Sequence, residues 1–147
     1  DNADVNILFN YFPKQLEEAK TVFNGCKSST QSKIYFDLLG GDLRSFIGLV
    51  NKCDAIIGND GGAINMAKAL NKPSFIIFSP WIEKKIWATF VDGIHHLSVH
   101  LKDFRPALFE NKTEKMLKKE ALPLYGKFLP EFFQDKIKLF LDQNGFN

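Results

Sequence analysis

Ala55-Ile56-Ile57-Gly58-Asn59-Asp60-Gly61-Gly62-Ala63-Ile64-Asn65-Met66-Ala67-Lys68-Ala69-Leu70 runs from a solid apolar stretch, through an acid and a glycine pair, into residues at helical spacing. A short apolar run without polar alternation reads as a strand buried on both faces, the kind found in parallel sheets. Glycine lets the backbone approach a ligand closely, because no Cβ stands in the way. The free N–H groups and the dipole of the following helix start favour an anion such as phosphate. In a doubly wound sheet this turn falls at the carboxyl ends of the strands, where ligands bind. The plainer reading is that Asp60 only caps the helix and Asp-Gly is ordinary strand-to-helix punctuation. The segment is neither a Walker loop nor a GxGxxG motif.

On both sides the chain repeats the pattern. Upstream, strands are predicted at Val5–Phe9 and Lys33–Leu39, with a helix over Lys14–Phe23 that ends near Asn24-Gly25. After Gly40-Gly41, Asp42 is placed to cap a helix reaching Lys52, with Leu43, Phe46, Ile47 and Val50 on one face. Downstream, Pro73 opens a strand over Ser74–Phe78, Ser79-Pro80 ends it, and a short strand follows at Leu97–Val99. Strands of about five residues alternating with helices of about ten predict an α/β, doubly wound parallel sheet. Beyond it lies a helical extension over 111–147, the whole chain being read as one domain over 1–147. There Asn111 to Ala121 forms a lysine-rich helix that Leu122-Pro123 interrupts, and Pro130 sits in the first turn of a last helix.

Composition narrows the function. A net charge of +2 over 36 charged residues is too balanced for nucleic-acid binding. No run approaches the ~18 apolar residues of a membrane span. Cys26 and Cys53 form no CxxC pair and read as buried thiols in a reducing, cytoplasmic compartment. The chain opens at Asp1 without a secretory leader or initiator methionine, and is expected to be a piece of something longer.

Three other features invite a functional reading. His95, His96 and His100 fit no zinc spacing and are expected on the surface or at a strand edge, so no metal and no cofactor is assigned. Trp81 and Trp87 flank Glu83-Lys84-Lys85 in a loop read as solvated and anchored by its aromatics, although its lysines are also suited to phosphate. Lys112, Lys115, Lys118 and Lys119 form a basic cluster diluted by Glu114 and Glu120. A solvated face is the plainer account, with peripheral docking to an anionic membrane surface as the other. The stripe Phe132, Phe133 and Phe140 reads most simply as core packing, part of which is expected to lack its partner and leave an exposed apolar patch or a homodimer contact.

The ordered string Leu49-Val50-Asn51-Lys52-Cys53-Asp54-Ala55-Ile56-Ile57-Gly58-Asn59-Asp60-Gly61-Gly62, then Met66-Ala67-Lys68-Ala69-Leu70-Asn71-Lys72-Pro73 and Phe75-Ile76-Ile77-Phe78-Ser79-Pro80, resembles glycosyltransferase family 9. That family includes the ADP-heptose:lipopolysaccharide heptosyltransferases, and the likeness is good from Val5 to about Pro80. It implies the Rossmann-like, C-terminal half of a bacterial GT-B glycosyltransferase that binds a nucleotide-sugar donor such as ADP-heptose. The acceptor would be a saccharide of the lipopolysaccharide core, met at the cytoplasmic side of the inner membrane. By position, Asp60, Gly61, Gly62 and Ala63 would hold the diphosphate with help from Asn65. Gly40 and Gly41 would border the base, and Glu17 and Glu18 would lie toward the ribose. The family commonly has Ser or Thr in place of Gly61 and His in place of Asn65. Its catalytic aspartate lies in the N-terminal domain, and its C-terminal domain begins with a central strand not found before Asp1. The chain alone is therefore expected not to turn over. A non-catalytic binding or interaction domain of the same fold is the alternative.

Overall fold

The computed structural model describes residues 5–146, so the ends of the expected domain, 1–4 and 147, lie outside the described residues. In chain order the elements are β1 (Ile7–Leu8), α1 (Leu16–Gly25), α2 (Ser28–Gln31), β2 (Ile34–Tyr35) and α3 (Leu43–Lys52). There follow β3 (Ile56–Asn59), α4 (Gly62–Ala69), β4 (Ser74–Ile77), α5 (Lys84–Trp87) and β5 (His96–Val99). Three helices close the chain: α6 (Glu114–Lys119), α7 (Ala121–Tyr125) and α8 (Gln134–Gln143). Every paired strand is parallel to its neighbour, giving the α/β, Rossmann-like pattern. The ladders are separate, one of β1 and β2 and the other in the order β3-β4-β5. The chain divides into two compact units, one reaching Leu49 and the other Val50–Gly145.

In the first unit Ile7 pairs with Ile34 and Leu8 with Tyr35. Aromatic packing holds these short strands. The Phe36 ring lies 6.0 Å from Phe9, 4.9 Å from Tyr11 and 5.1 Å from Phe23. Asp42 caps α3 as expected, its Oδ1 accepting from the Ser45 N–H at 2.8 Å. That bond also holds its carboxyl pKa below the ordinary value. Leu43 departs from the expected apolar face of α3 and is exposed.

The second unit is built around β4, whose residues alternate between two packed faces. Ile76 and Phe78 join Ile64 of α4, with Ile82, Ala88 and Val91 of the following segment packed around them. Phe75 points the other way, into a larger cluster with Leu97, Val99 and Leu101 and with Leu124, Phe128, Phe133 and Phe140. The sheet is thus covered on both faces, which is why its strands read as unbroken apolar runs. The C-terminal phenylalanines do not form the expected patch. Phe140 is fully buried and Phe133 is 7% exposed. Their rings meet Phe75 at 5.8 Å and 6.3 Å. Apolar rings beside a bare sheet face bury themselves, each contributing about 1.5–3 kcal/mol. The helices from α6 on are therefore one layer of the sheet's own core. Pro123 does not stop α7, since in a first turn its missing N–H leaves no bond unmade.

Candidate functional site

The turn after β3 carries the ladder one residue past the strand, with the Asp60 N–H donating to Ile77 O at 3.1 Å. The next residue, Gly61, is the N-cap of α4 and has an extended backbone, and no side chain caps the helix. The reading of Asp60 as a mere cap is thereby overturned. The first N–H bonded inside the turn is that of Asn65, onto Gly61 O at 3.1 Å. The N–H groups of Gly62, Ala63 and Ile64 precede it, unspent as at any helix start. A Cβ on Gly61 would meet nothing within 4 Å, so the space beside this turn is open.

The far end of α4 is closed as firmly as its start is open. Asn71 takes a left-handed backbone (φ 56°). Its N–H reaches Lys68 O and the Lys72 N–H reaches Ala67 O, each at 2.9 Å. This is a Schellman ending with Asn in the place usual for Gly, and Pro73 follows directly.

Along the flank of α4 runs a cleft of about 650 Å³ whose walls include Asp60, Asn65, Lys68, Trp87, Phe90 and His96. Of the residues expected from sequence to hold the donor, Asp60 and Asn65 meet there. Burial pushes the Asp60 carboxyl pKa up, with Lys68 pulling the other way, and burial lowers the Lys68 ammonium. Asp60 forms no ion pair or side-chain hydrogen bond among the described residues, while Lys68 Nζ donates to Thr89 O at 2.9 Å. Phe90 holds φ at 59° and is 81% exposed. A bulky residue in the left-handed region is strained by about 1–3 kcal/mol, a feature that concentrates at functional sites. Sequence reasoning missed Lys68 and Phe90. Lys68 was legible three residues beyond Asn65 on the same helix flank, whereas nothing in the sequence marks the conformation of Phe90.

Gly40 and Gly41 belong to the first unit and play different parts. A Cβ on Gly40 would stand 2.7 Å from the Phe46 backbone, so the absence of a side chain there is required by packing against α3. Gly41 faces open space. Glu17 pairs with Lys20 at 3.0 Å on the exposed face of α1, and Glu18 lies in the same first turn.

The histidines meet their expectation in part, since His96 opens β5, the end strand of the second ladder among the described residues. His95 is exposed, 3.4 Å from Asp92, but His96 and His100 are 8% and 3% exposed. His96 shares with Ser98 the face of β5 turned from Phe75, His100 directly follows the strand, and burial lowers the pKa of both histidines. Among the described residues no group of three His, Cys, Asp or Glu side chains is placed to hold a metal ion. Cys26 and Cys53 are both free and half-buried. No described helix is long and apolar enough to cross a membrane. In the basic cluster Lys112 pairs with Glu120 and Lys118 lies 4.9 Å over the Trp81 ring.

Parallel strands joined by helices, with an uncapped glycine turn at the sheet's carboxyl edge, define a Rossmann-like α/β domain. Its family is settled by sequence: the model of glycosyltransferase family 9 (heptosyltransferase) matches residues 1–115, and the chain belongs to that family, of the GT-B class. Searches of curated proteins and of solved structures returned no match.

Proposed function

We propose that this chain supplies the donor side of a glycosyl transfer, with Gly61, Gly62 and Ala63 receiving the diphosphate of a nucleotide sugar, Asp60 facing its sugar and Asn65 assisting. The donor is of the ADP-heptose type and the acceptor a saccharide of the lipopolysaccharide core. One observation carries the reading: the start of α4 has no side-chain cap, beside an Asp60 carboxylate that forms no ion pair or side-chain hydrogen bond among the described residues. Unspent N–H groups aimed at one point stabilise a departing nucleoside diphosphate with preorganised dipoles. Asp60, half-buried and uncommitted, is suited to accept hydrogen bonds from sugar hydroxyls. Gly61 and Asn65 leave the site without a hydroxyl donor and without a titrating cation, so recognition falls on the backbone.

Titration of the isotope-labelled chain with ADP, ADP-heptose, GDP and UDP tests this reading. Selective shifts of the amides from Gly58 to Asn65 are the expected result, with ADP-heptose binding tighter than ADP and Asp60→Ala removing that difference. Shifts confined to other residues, or none with any of the four, would turn the assignment toward a non-catalytic interaction domain, the reading that Gly61 and Asn65 favour.

A further inference from the structure

A second recess lies at the carboxyl ends of β4 and β5, apart from the turn after β3. The register Ile77↔Val99 brings those two strand ends level, so Pro80-Trp81 and His100 leave the sheet at the same edge. The recess encloses about 400 Å³, with Trp81, Pro80 and Phe109 as its apolar surfaces.

Its charges are of both signs and mostly fixed. Lys84 Nζ donates to Asp103 Oδ2 at 2.7 Å and to Ser98 O at 3.2 Å. The same Asp103 oxygen accepts the His100 N–H at 3.0 Å, tying the pair to the end of β5. Lys102 Nζ lies 4.0 Å from Glu83, and Lys112 pairs with Glu120. Lys85 and Glu114, also lining the recess, form no ion pair among the described residues. At the base, His100 Nδ1 accepts the Lys102 N–H at 2.9 Å, and its ring lies 5.3 Å from Phe109. Lys118 over Trp81 holds the indole in place.

We propose that this recess binds a saccharide unit without a large net charge, as a site separate from the turn at Asp60. An ammonium only donates and a carboxylate only accepts, while a sugar hydroxyl does both. A recess whose rim alternates the two around an indole therefore matches a polyhydroxylated ring, with its apolar face on Trp81. A multiply charged anion would face Glu83, Asp103 and Glu114. The fixed pairs lower the ordering cost of binding. Binding itself rests only on this recess and does not require the diphosphate reading.

The chain holds two tryptophans, Trp81 and Trp87, so their indole N–H resonances report on the two clefts separately. Methyl glycosides of glucose, galactose and mannose, each taken to about 50 mM because single-sugar contacts are weak, are the probes. A saturable shift of the Trp81 indole, with Trp87 unmoved, is the expected result. Trp81→Ala should weaken binding about tenfold through loss of the aromatic face. Glu114→Gln and Lys85→Ala, on the rim and outside the core, should each weaken it about threefold through loss of one charged hydrogen-bonding partner. They decide the matter if Trp81→Ala does not fold. The proposal is overturned if no glycoside moves Trp81, if neither rim variant changes the affinity, or if inorganic phosphate gives the same shift. ADP binding at Gly58 to Asn65 is read in the same spectra, so failure of one site is distinguishable from failure of the other.

Discussion

Gly40 and Gly61 each carry a hydrogen where other residues carry a side chain, for opposite reasons. At Gly40 a methyl group would collide with the Phe46 backbone. Gly40→Ala should destabilise by about 1–3 kcal/mol, the cost of forcing an atom into packed space. Chemical denaturation measures this, and a midpoint equal to that of the parent chain would show that the contact relaxes freely. At Gly61 the space is empty and the backbone extended, so Gly61→Ser should leave the melting midpoint unchanged within about 0.5 kcal/mol. It adds a hydroxyl beside the unspent N–H groups, and should tighten ADP binding severalfold in the titration described above. Tightening without destabilisation fits an open anion turn, whereas a loss of stability would mean that Gly61 is structural. The two glycines look alike in the sequence, and their surroundings separate them.

At the scale of the element, β5 combines a buried polar face with an apolar one. Asp92 holds its entry, Oδ1 accepting the N–H groups of Ile94 and His96, both at 2.9 Å. Those bonds bring its carboxyl pKa down to about 2. Burial lowers the pKa of His96 in the strand and of His100 just after it. A histidine less basic in the folded state binds its proton first in the unfolded chain. Stability should therefore be level above about pH 7.5 and decline as the pH falls through about 6.5, the unfolded value. The slope is at most about 1.4 kcal/mol per pH unit for each ring. Asp92 acts in a separate, lower window, contributing stability above about pH 3.9 that is lost as the pH falls toward its folded value. Urea melts between pH 8 and 5 test the histidine part, and His96→Asn with His100→Asn should flatten the decline. An equal slope in the double variant would assign it to other groups. The sequence shows the apolar half of β5 at Leu97 and Val99. The histidines were read as surface or strand-edge residues because an imidazole carries no mark of the layer that covers it.

At the scale of the whole molecule, the C-terminal helices decide how the sheet is covered. Phe140→Ala removes a fully buried ring from the cluster around Phe75 and should cost about 3–5 kcal/mol. Leu139, next to it and 47% exposed, should tolerate Leu139→Ala within about 0.5 kcal/mol. Equal losses from the two would contradict α8 as a packed layer. The sequence by itself determined the five strands with α1, α3 and α4 between them, the glycine turn opening α4, the Asp42 cap and the family. Each of these is local, resting on backbone chemistry, on side-chain period or on the order of residues along one stretch. It did not determine the short helices α2 and α5, which form in stretches that read as loops. Tertiary structure alone decided that the strands form two ladders, how far the phenylalanine stripe is covered and that His96 and His100 are buried. It also freed Asp60 from capping and brought it beside Lys68 and Phe90. Burial is a property of what comes to lie against a residue, and those neighbours are distant in the chain, as Phe140 is from Phe75.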